Sequence, residues 1–209
     1  DNAEMCTMID STPEWIEQRT GIYERRWVAE GETALTLAVD ASRKAIERAG
    51  LAPDDIDTVI ISTVSHYQNT PSMATLLANE LGMTDPAAFD ISAACAGFSY
   101  GVGMADAMVR GGTSKHVLVV GSEVLSEYTD ISDRSTAFLF GDGAGAAVVG
   151  PSDAPAIGPT VWGSDPKQHD VIEIDDFREG EGHPYIHMEG RAVFRWATTV
   201  IADKTKEAL

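Results

Sequence analysis

Two aliphatic runs constrain the fold of this chain more than any other feature. Val59-Ile60-Ile61-Ser62-Thr63-Val64 and Val117-Leu118-Val119-Val120-Gly121 are nearly continuous and lack the apolar–polar alternation of a strand with one wet face. Such strands are buried on both faces, as parallel strands covered by helices are. Around them the spacing turns helical. Leu35, Val39 and Ile46 recur over about residues 33–49, which Gly50 closes, and a further helix is predicted over about 71–81, ended by Gly82. Phe89-Asp90-Ile91 reads as a short strand, and the small-residue segment from Ala94 to Val109 as a helix stopped by Gly111-Gly112. Strands alternating with helices imply an α/β layered fold with a mainly parallel sheet.

The flanks are less regular. Residues 1–21 read as two short helices about a turn at Asp10-Ser11-Thr12-Pro13, with Ser11 or Thr12 as the cap ahead of a proline in the first turn. Ala137-Phe138-Leu139-Phe140 and Ala146-Ala147-Val148-Val149 are expected as two strands around a glycine turn. Residues 151–184, rich in Gly, Pro and Asp, are expected as loops and weak strands, and the chain is expected to be helical again from Gly190. The chain opens at Asp1 without a leader-like stretch, inside what reads as a helix, and closes inside another. It is therefore expected to be part of a longer protein.

Charge narrows the partners. With 33 acidic against 15 basic residues the net charge is −18, and no basic run is longer than Arg25-Arg26. Neither nucleic acid nor an anionic membrane surface suits such a chain, and no apolar run approaches bilayer length. The two cysteines, Cys6 and Cys95, lie far apart and outside any C-x-x-C pair. A disulfide scaffold or structural zinc is not expected, and free thiols fit a reducing cytoplasm.

Three segments could carry chemistry. In Asp90-Ile91-Ser92-Ala93-Ala94-Cys95-Ala96-Gly97-Phe98 a strand gives way to a cysteine at the first turn of a lean helix that also contains Ser99, Gly101 and Gly103. A thiol at a helix start faces the positive end of the helix dipole, which favours the reactive thiolate, and the free N–H groups of that turn can bind an oxyanion. The plain alternative is a buried cysteine acting as a small hydrophobe, and position alone leaves both open. Gly141-Asp142-Gly143-Ala144-Gly145-Ala146 looks like a phosphate loop, but a dinucleotide fingerprint opens a helix after a strand. These glycines lie between strand-like runs, so a tight turn with close backbone packing is expected and NAD binding is not. His183 and His187 have a spacing that could hold a metal on a helix. Pro184 intervenes and no Cys or carboxylate motif accompanies them, so they read as solvated loop histidines.

Taken together, the motifs resemble a known family. Ala94-Cys95-Ala96-Gly97-Phe98 resembles the nucleophile motif of the type III β-ketoacyl-acyl-carrier-protein synthases. Glu14-Trp15-Ile16, Arg19-Thr20-Gly21-Ile22 and Glu24-Arg25 resemble that family's amino-terminal motif, and Phe140-Gly141-Asp142-Gly143-Ala144-Gly145-Ala146 its glycine-rich segment. The motifs keep family order over nearly the whole chain.

The resemblance implies the thiolase fold, a layered αβαβα architecture of two similar halves. Residues 1–150 match the amino-terminal half without its first strand, and 151–209 match connecting loops and the start of the carboxyl-terminal half. It implies a cytoplasmic homodimer that takes a short acyl group from acyl-CoA onto Cys95 and condenses it with malonyl-acyl-carrier-protein, with no metal and no redox cofactor. The family's catalytic histidine and asparagine belong to a stretch resembling Pro-His-Gln-Ala-Asn, which does not occur in these 209 residues. None of the five histidines fits that context.

By the same resemblance, Trp15 and Arg134 correspond to the pair that sandwiches the adenine of CoA, and Arg19 to the residue beside its phosphates. Met188, Gly190, Val193 and Phe194 correspond to the pantetheine tunnel, and Leu125, Phe140 and Ile186 to the acyl pocket. Thr70, within Asn69-Thr70-Pro71-Ser72, corresponds to a position that reaches across the dimer interface to the partner's acyl pocket. For the apolar residues among these, ordinary core is the plain alternative. Two other functions share the motifs: a type III-like synthase of a polyketide or other secondary pathway, and a non-catalytic thiolase-fold dimer partner. A retained Cys95 argues against the latter.

Overall fold

The computed structural model describes residues 1–176 and 182–209. They resolve into two compact units. One joins Val28–Val124 to Asp142–Gly158; the other joins Asp1–Trp27, Leu125–Gly141 and Pro159–Leu209.

The first unit is built on a four-stranded sheet. Its strands are β1 (Thr58–Ser62), β2 (Ala87–Ile91), β3 (Val117–Val124) and β4 (Asp142–Val149), in the order β2-β1-β3-β4. β1 lies parallel to both β2 and β3, and β4 runs antiparallel to β3. Both aliphatic runs are central strands, and the two-residue period of a strand sends their side chains to opposite layers. Val59, Ile61, Leu118 and Val120 join a core with Ala38, Ile46 and Leu77 from helices α3 (Ala34–Ala49) and α4 (Met73–Glu80). Ile60, Val117 and Val119 face the opposite core with Ala105 of helix α5 (Gly97–Gly111). Helices thus cover both faces, which is why these strands carry no polar alternation.

The helix boundaries follow from their end residues. Thr33 caps α3, its hydroxyl accepting from the Thr36 N–H, and Gly50 ends it in the left-handed region at φ 68°. Ser72 caps α4, and α5 ends at Gly112, φ 72°.

In the second unit, helices α1 (Asn2–Met5) and α2 (Pro13–Thr20) pack Met5, Ile9 and Ile16 against Ala137 and Phe138. Of the two candidate caps it is Thr12 that receives the Trp15 N–H, ahead of Pro13. A short antiparallel pair, β5 (Ile172–Ile174) with β6 (Ile186–Met188), precedes the terminal helix α6 (Gly190–Ala208). The loops and weak strands expected over 151–184 are found there, except that 177–181 lie outside the described residues.

One expected element is absent. Residues 137–140 form turns rather than a strand, with Leu139 N–H bonded back to the Thr136 carbonyl and Ala137 N–H to that of Asp133. The glycines are not in a turn between two strands: Gly143 and Gly145 lie inside β4, with open space where a side chain would sit. Only Gly141 meets close backbone. A Cβ there would come within 3.1 Å of the Arg26 carbonyl oxygen.

Candidate active site

Cys95 sits where β2 has ended and α5 has not begun. A single 3₁₀ turn, Ala94–Ala96, bridges them, with the Ala96 N–H returning to the Ala93 carbonyl and the Gly97 N–H to that of Ala94. Ala94 has φ 44°, a left-handed conformation that costs a residue with a Cβ on the order of 1 kcal/mol or more. That sharp bend leaves Cys95 exposed rather than packed as a small core hydrophobe. No backbone hydrogen bond of the Cys95 N–H is found among the described residues.

The lean sequence after Cys95 has a steric cause. A Cβ on Gly97 would lie 1.7 Å from Ser62 Oγ and 2.8 Å from Ser62 Cβ, and one on Gly101 would lie 2.8 Å from Val119 Cγ1. The first turns of α5 therefore press directly on the sheet, and this close approach fixes the turn that carries the thiol. Asp90, near the end of β2, accepts from the Met73 and Ala74 N–H groups at 2.7 and 2.8 Å and so anchors the start of α4.

In the second unit, Trp15 and Arg19 share one face of α2 at i,i+4. The guanidinium carbon of Arg19 lies 5.4 Å from the Trp15 ring centre and that of Arg134 lies 5.6 Å away. Phe138 meets the same ring edge-on at 5.5 Å. Arg134 is carried by a turn that Asp133 organises, its carboxylate accepting from the Ser135 N–H and from the Ser135 and Thr136 hydroxyls at 2.7–2.8 Å. Burial pushes the Asp133 carboxyl up, but these hydrogen bonds and the charge of His187 outweigh it and hold the group below its ordinary value of 3.8.

The remaining expected residues divide by exposure. Ile186 is buried; Leu125, Phe140, Met188 and Val193 are half-buried; Thr70, Gly190 and Phe194 are exposed. Trp15, Arg19, Arg134, Leu125, Phe140, Ile186, Met188, Gly190, Val193 and Phe194 belong to one unit, and Cys95 and Thr70 to the other. The two histidines are exposed, but both have partners. His183 bonds the Glu127 carbonyl, and His187, on β6, pairs with Asp175 at 2.9 Å. No cluster of metal-ligating side chains occurs among the described residues.

Sequence reasoning passed over Glu123 and the close contact of Gly97 with Ser62. Glu123 is an acid inside an aliphatic strand, a visible signal of a buried polar task. The Ser62 contact is non-local and left no mark in the sequence beyond a run of small residues.

A helix-covered sheet with a cysteine on a strained strand-to-helix turn matches the thiolase class of folds. The chain aligns over its whole length with the priming β-ketosynthase of the R1128 polyketide pathway at TM-score 0.97 and 46% identity, covering 64% of that chain. Against the 3-oxoacyl-[acyl-carrier-protein] synthase III of Aquifex aeolicus it reaches 0.93 and 38%, again over its whole length and 66% of that chain. The family model for 3-oxoacyl-[acyl-carrier-protein] synthase III matches residues 89–166. Among curated proteins, β-ketoacyl-[acyl-carrier-protein] synthase III of Streptomyces glaucescens is 49% identical over 100% of this chain and 64% of its own length; that of Mycobacteroides abscessus is 52% identical over 94% and 60%. The chain belongs to the β-ketoacyl-[acyl-carrier-protein] synthase III family, and it spans a little under two thirds of the length of these curated relatives.

Proposed function

We propose that the protein containing this chain is a condensing acyltransferase that starts fatty-acid synthesis, with Cys95 as its acyl carrier. The Cys95 sulfur attacks the thioester carbonyl of a short acyl-CoA, the new C–S bond forms, and CoA leaves with its sulfur. Malonyl-acyl-carrier-protein then loses carbon dioxide. The resulting carbanion attacks the acyl carbonyl on Cys95, expelling the thiolate and giving 3-oxoacyl-acyl-carrier-protein. Backbone N–H groups, that of Cys95 among them, stabilise the tetrahedral oxyanion. The histidine and asparagine that stabilise the enolate come from outside these 209 residues. The reaction as written calls for neither metal nor redox cofactor.

The observation that carries this reading is the exposed Cys95 on the turn set by Ala94, in a chain about half identical to named synthases. Trp15 with Arg134 holds the adenine, Arg19 the phosphates, Met188, Gly190, Val193 and Phe194 the pantetheine arm, and Leu125, Phe140 and Ile186 the acyl group. Thr70 of a partner subunit closes the acyl pocket of a cytoplasmic homodimer, and its small side chain leaves room for branched primers. Residues 1–150 serve as the amino-terminal half and 151–209 lead into the second half.

The test is acylation. A full-length synthase carrying this sequence is incubated with radiolabelled acyl-CoA and digested. Label is expected on Cys95 and lost in Cys95→Ser; label on Cys6 instead overturns the assignment. A non-catalytic partner subunit would take no label. The match to a polyketide priming synthase favours a second reading, in which the acyl group passes to a carrier of a secondary pathway. Comparing fatty-acid and polyketide carrier proteins as acceptors separates the two.

A further inference from the structure

The half-buried Glu123 has no part in the chemistry above, yet its carboxylate is fully engaged. β1 stops at Ser62, opposite Gly121 of β3, while β3 continues to Val124. Past Ser62 the half-buried Val64 N–H is no longer part of the β1–β3 pairing and needs another acceptor. Glu123, on the overhang of β3, supplies it: its two carboxylate oxygens accept from Val64 N–H at 3.0 and 3.2 Å. The Ser65 hydroxyl donates to it at 2.6 Å and accepts from Val124 N–H at 2.9 Å, and the Thr63 hydroxyl donates at 3.3 Å. Thr63 and Ser65 are themselves buried. All of these donors are neutral. Burial accordingly pushes the Glu123 carboxyl above its ordinary value, against the hydrogen bonds that pull it down.

The connection that begins at Thr63 ends at α4, whose first N–H groups are held by Asp90 of β2. Residues 66–72 are thus pegged at both ends by carboxylates from the two strands that flank β1, and Asp90 stands five residues before Cys95 on the strand that leads to it.

We propose that Glu123, together with Asp90, is a positioning residue that fixes the segment bearing Thr70 and thereby sets primer selection. The selection half rests on the reading of Thr70 given above; the positioning half does not. The experiment uses full-length synthase and three variants: Glu123→Gln, Ser65→Ala and Thr70→Phe. Amide hydrogen exchange is followed over residues 66–72 with α3 as internal control, and kcat/KM is measured for acetyl-CoA and isobutyryl-CoA. In Glu123→Gln, exchange over 66–72 is expected to rise about tenfold or more while α3 is unchanged. The ratio of the two kcat/KM values is expected to shift by about threefold or more. General destabilisation lowers both rates together and leaves the ratio alone. If Glu123→Gln does not fold, Ser65→Ala, which removes one donor to the carboxylate, is judged by the same criteria. Unchanged exchange over 66–72 overturns the proposal. So does faster exchange with an unmoved ratio when Thr70→Phe does move it. If Thr70→Phe leaves the ratio untouched while exchange rises, the positioning stands and the reading of Thr70 fails.

Discussion

Trp15 meets the edge of Phe138 and the guanidinium groups of Arg19 and Arg134. A pre-set aromatic face beside two fixed cations suits a purine bearing phosphates, through stacking and charge-assisted hydrogen bonds. If adenine stacks there as bases stack on aromatic side chains elsewhere, Trp15→Ala weakens acyl-CoA binding by about 1–3 kcal/mol; an unchanged affinity in calorimetry would place the nucleotide elsewhere. Arg134 depends on Asp133, whose carboxyl is held below 3.8 in the fold. A depressed carboxylate contributes stability that is fully present above its unfolded value and is lost as the pH falls through the folded one. The melting-temperature advantage of the parent over Asp133→Ala is therefore expected to be flat above about pH 5 and to shrink below about pH 4. An advantage that grows on acidification would contradict the assignment. Cys95 was legible as a candidate because a cysteine stands where a strand gives way to a lean helix, whereas Trp15 and Arg19 were candidates only through the family resemblance. Glu123 showed only as an acid inside an aliphatic strand; its partners were not legible, because Val64 and Ser65 are brought to it by the stagger of two strands.

At the scale of elements, the central strands and their covering helices were legible because burial on both faces removes polar alternation and because glycine marks the carboxyl-terminal ends of the helices. Residues 137–140 misled for a related reason. Ala137 and Phe138 are buried, but against α1 and α2, in turns held by Asp133 and Thr136. An apolar tetrapeptide has no period long enough to tell a strand from a packed turn. The glycines of β4 misled in the opposite way, since Gly143 and Gly145 suggest a turn yet continue a strand. The lean start of α5 is the element-scale feature with the sharpest consequence. An alanine at 97 cannot coexist with Ser62 as placed, because even Ser62 Cβ would be 2.8 Å away and Ser62 is buried. Gly97→Ala is expected to lower stability by about 1–3 kcal/mol, as overpacking does. Adding Ser62→Ala should recover part of that loss by removing the nearer atom, Oγ. Chemical denaturation of both variants checks this, and a Gly97→Ala protein of parental stability would mean that α5 does not press on β1.

At the scale of the whole molecule, the chain carries the proposed nucleophile, Cys95, without the groups that the proposed second step requires. Acylation needs Cys95, a bound acyl-CoA and an oxyanion donor, and candidates for each are within the 209 residues. Condensation also needs stabilisation of the malonyl-derived enolate, and no Pro-His-Gln-Ala-Asn-like stretch is available for it. The terminal helix points the same way: α6 has no buried residue over its 19 positions, and Phe194 is 70% exposed and Ile201 49%. An amphipathic helix takes most of its stability in a protein from packing its apolar face. Residues 1–209 expressed alone are therefore expected to give no 3-oxoacyl-acyl-carrier-protein, and α6 is expected to exchange its amide hydrogens far faster than α3, whose Ala38 and Ile46 lie in the core. Carrier-protein product analysed by mass spectrometry, with exchange on the same sample, reads both at once. Condensation by the isolated 209 residues would show that the histidine and asparagine are dispensable or replaced by groups within this chain, and the mechanism proposed for the second step would fall. Protection of α6 equal to that of α3 would show that its apolar face is covered within this chain, which would leave the missing side chains as the sole reason for inactivity.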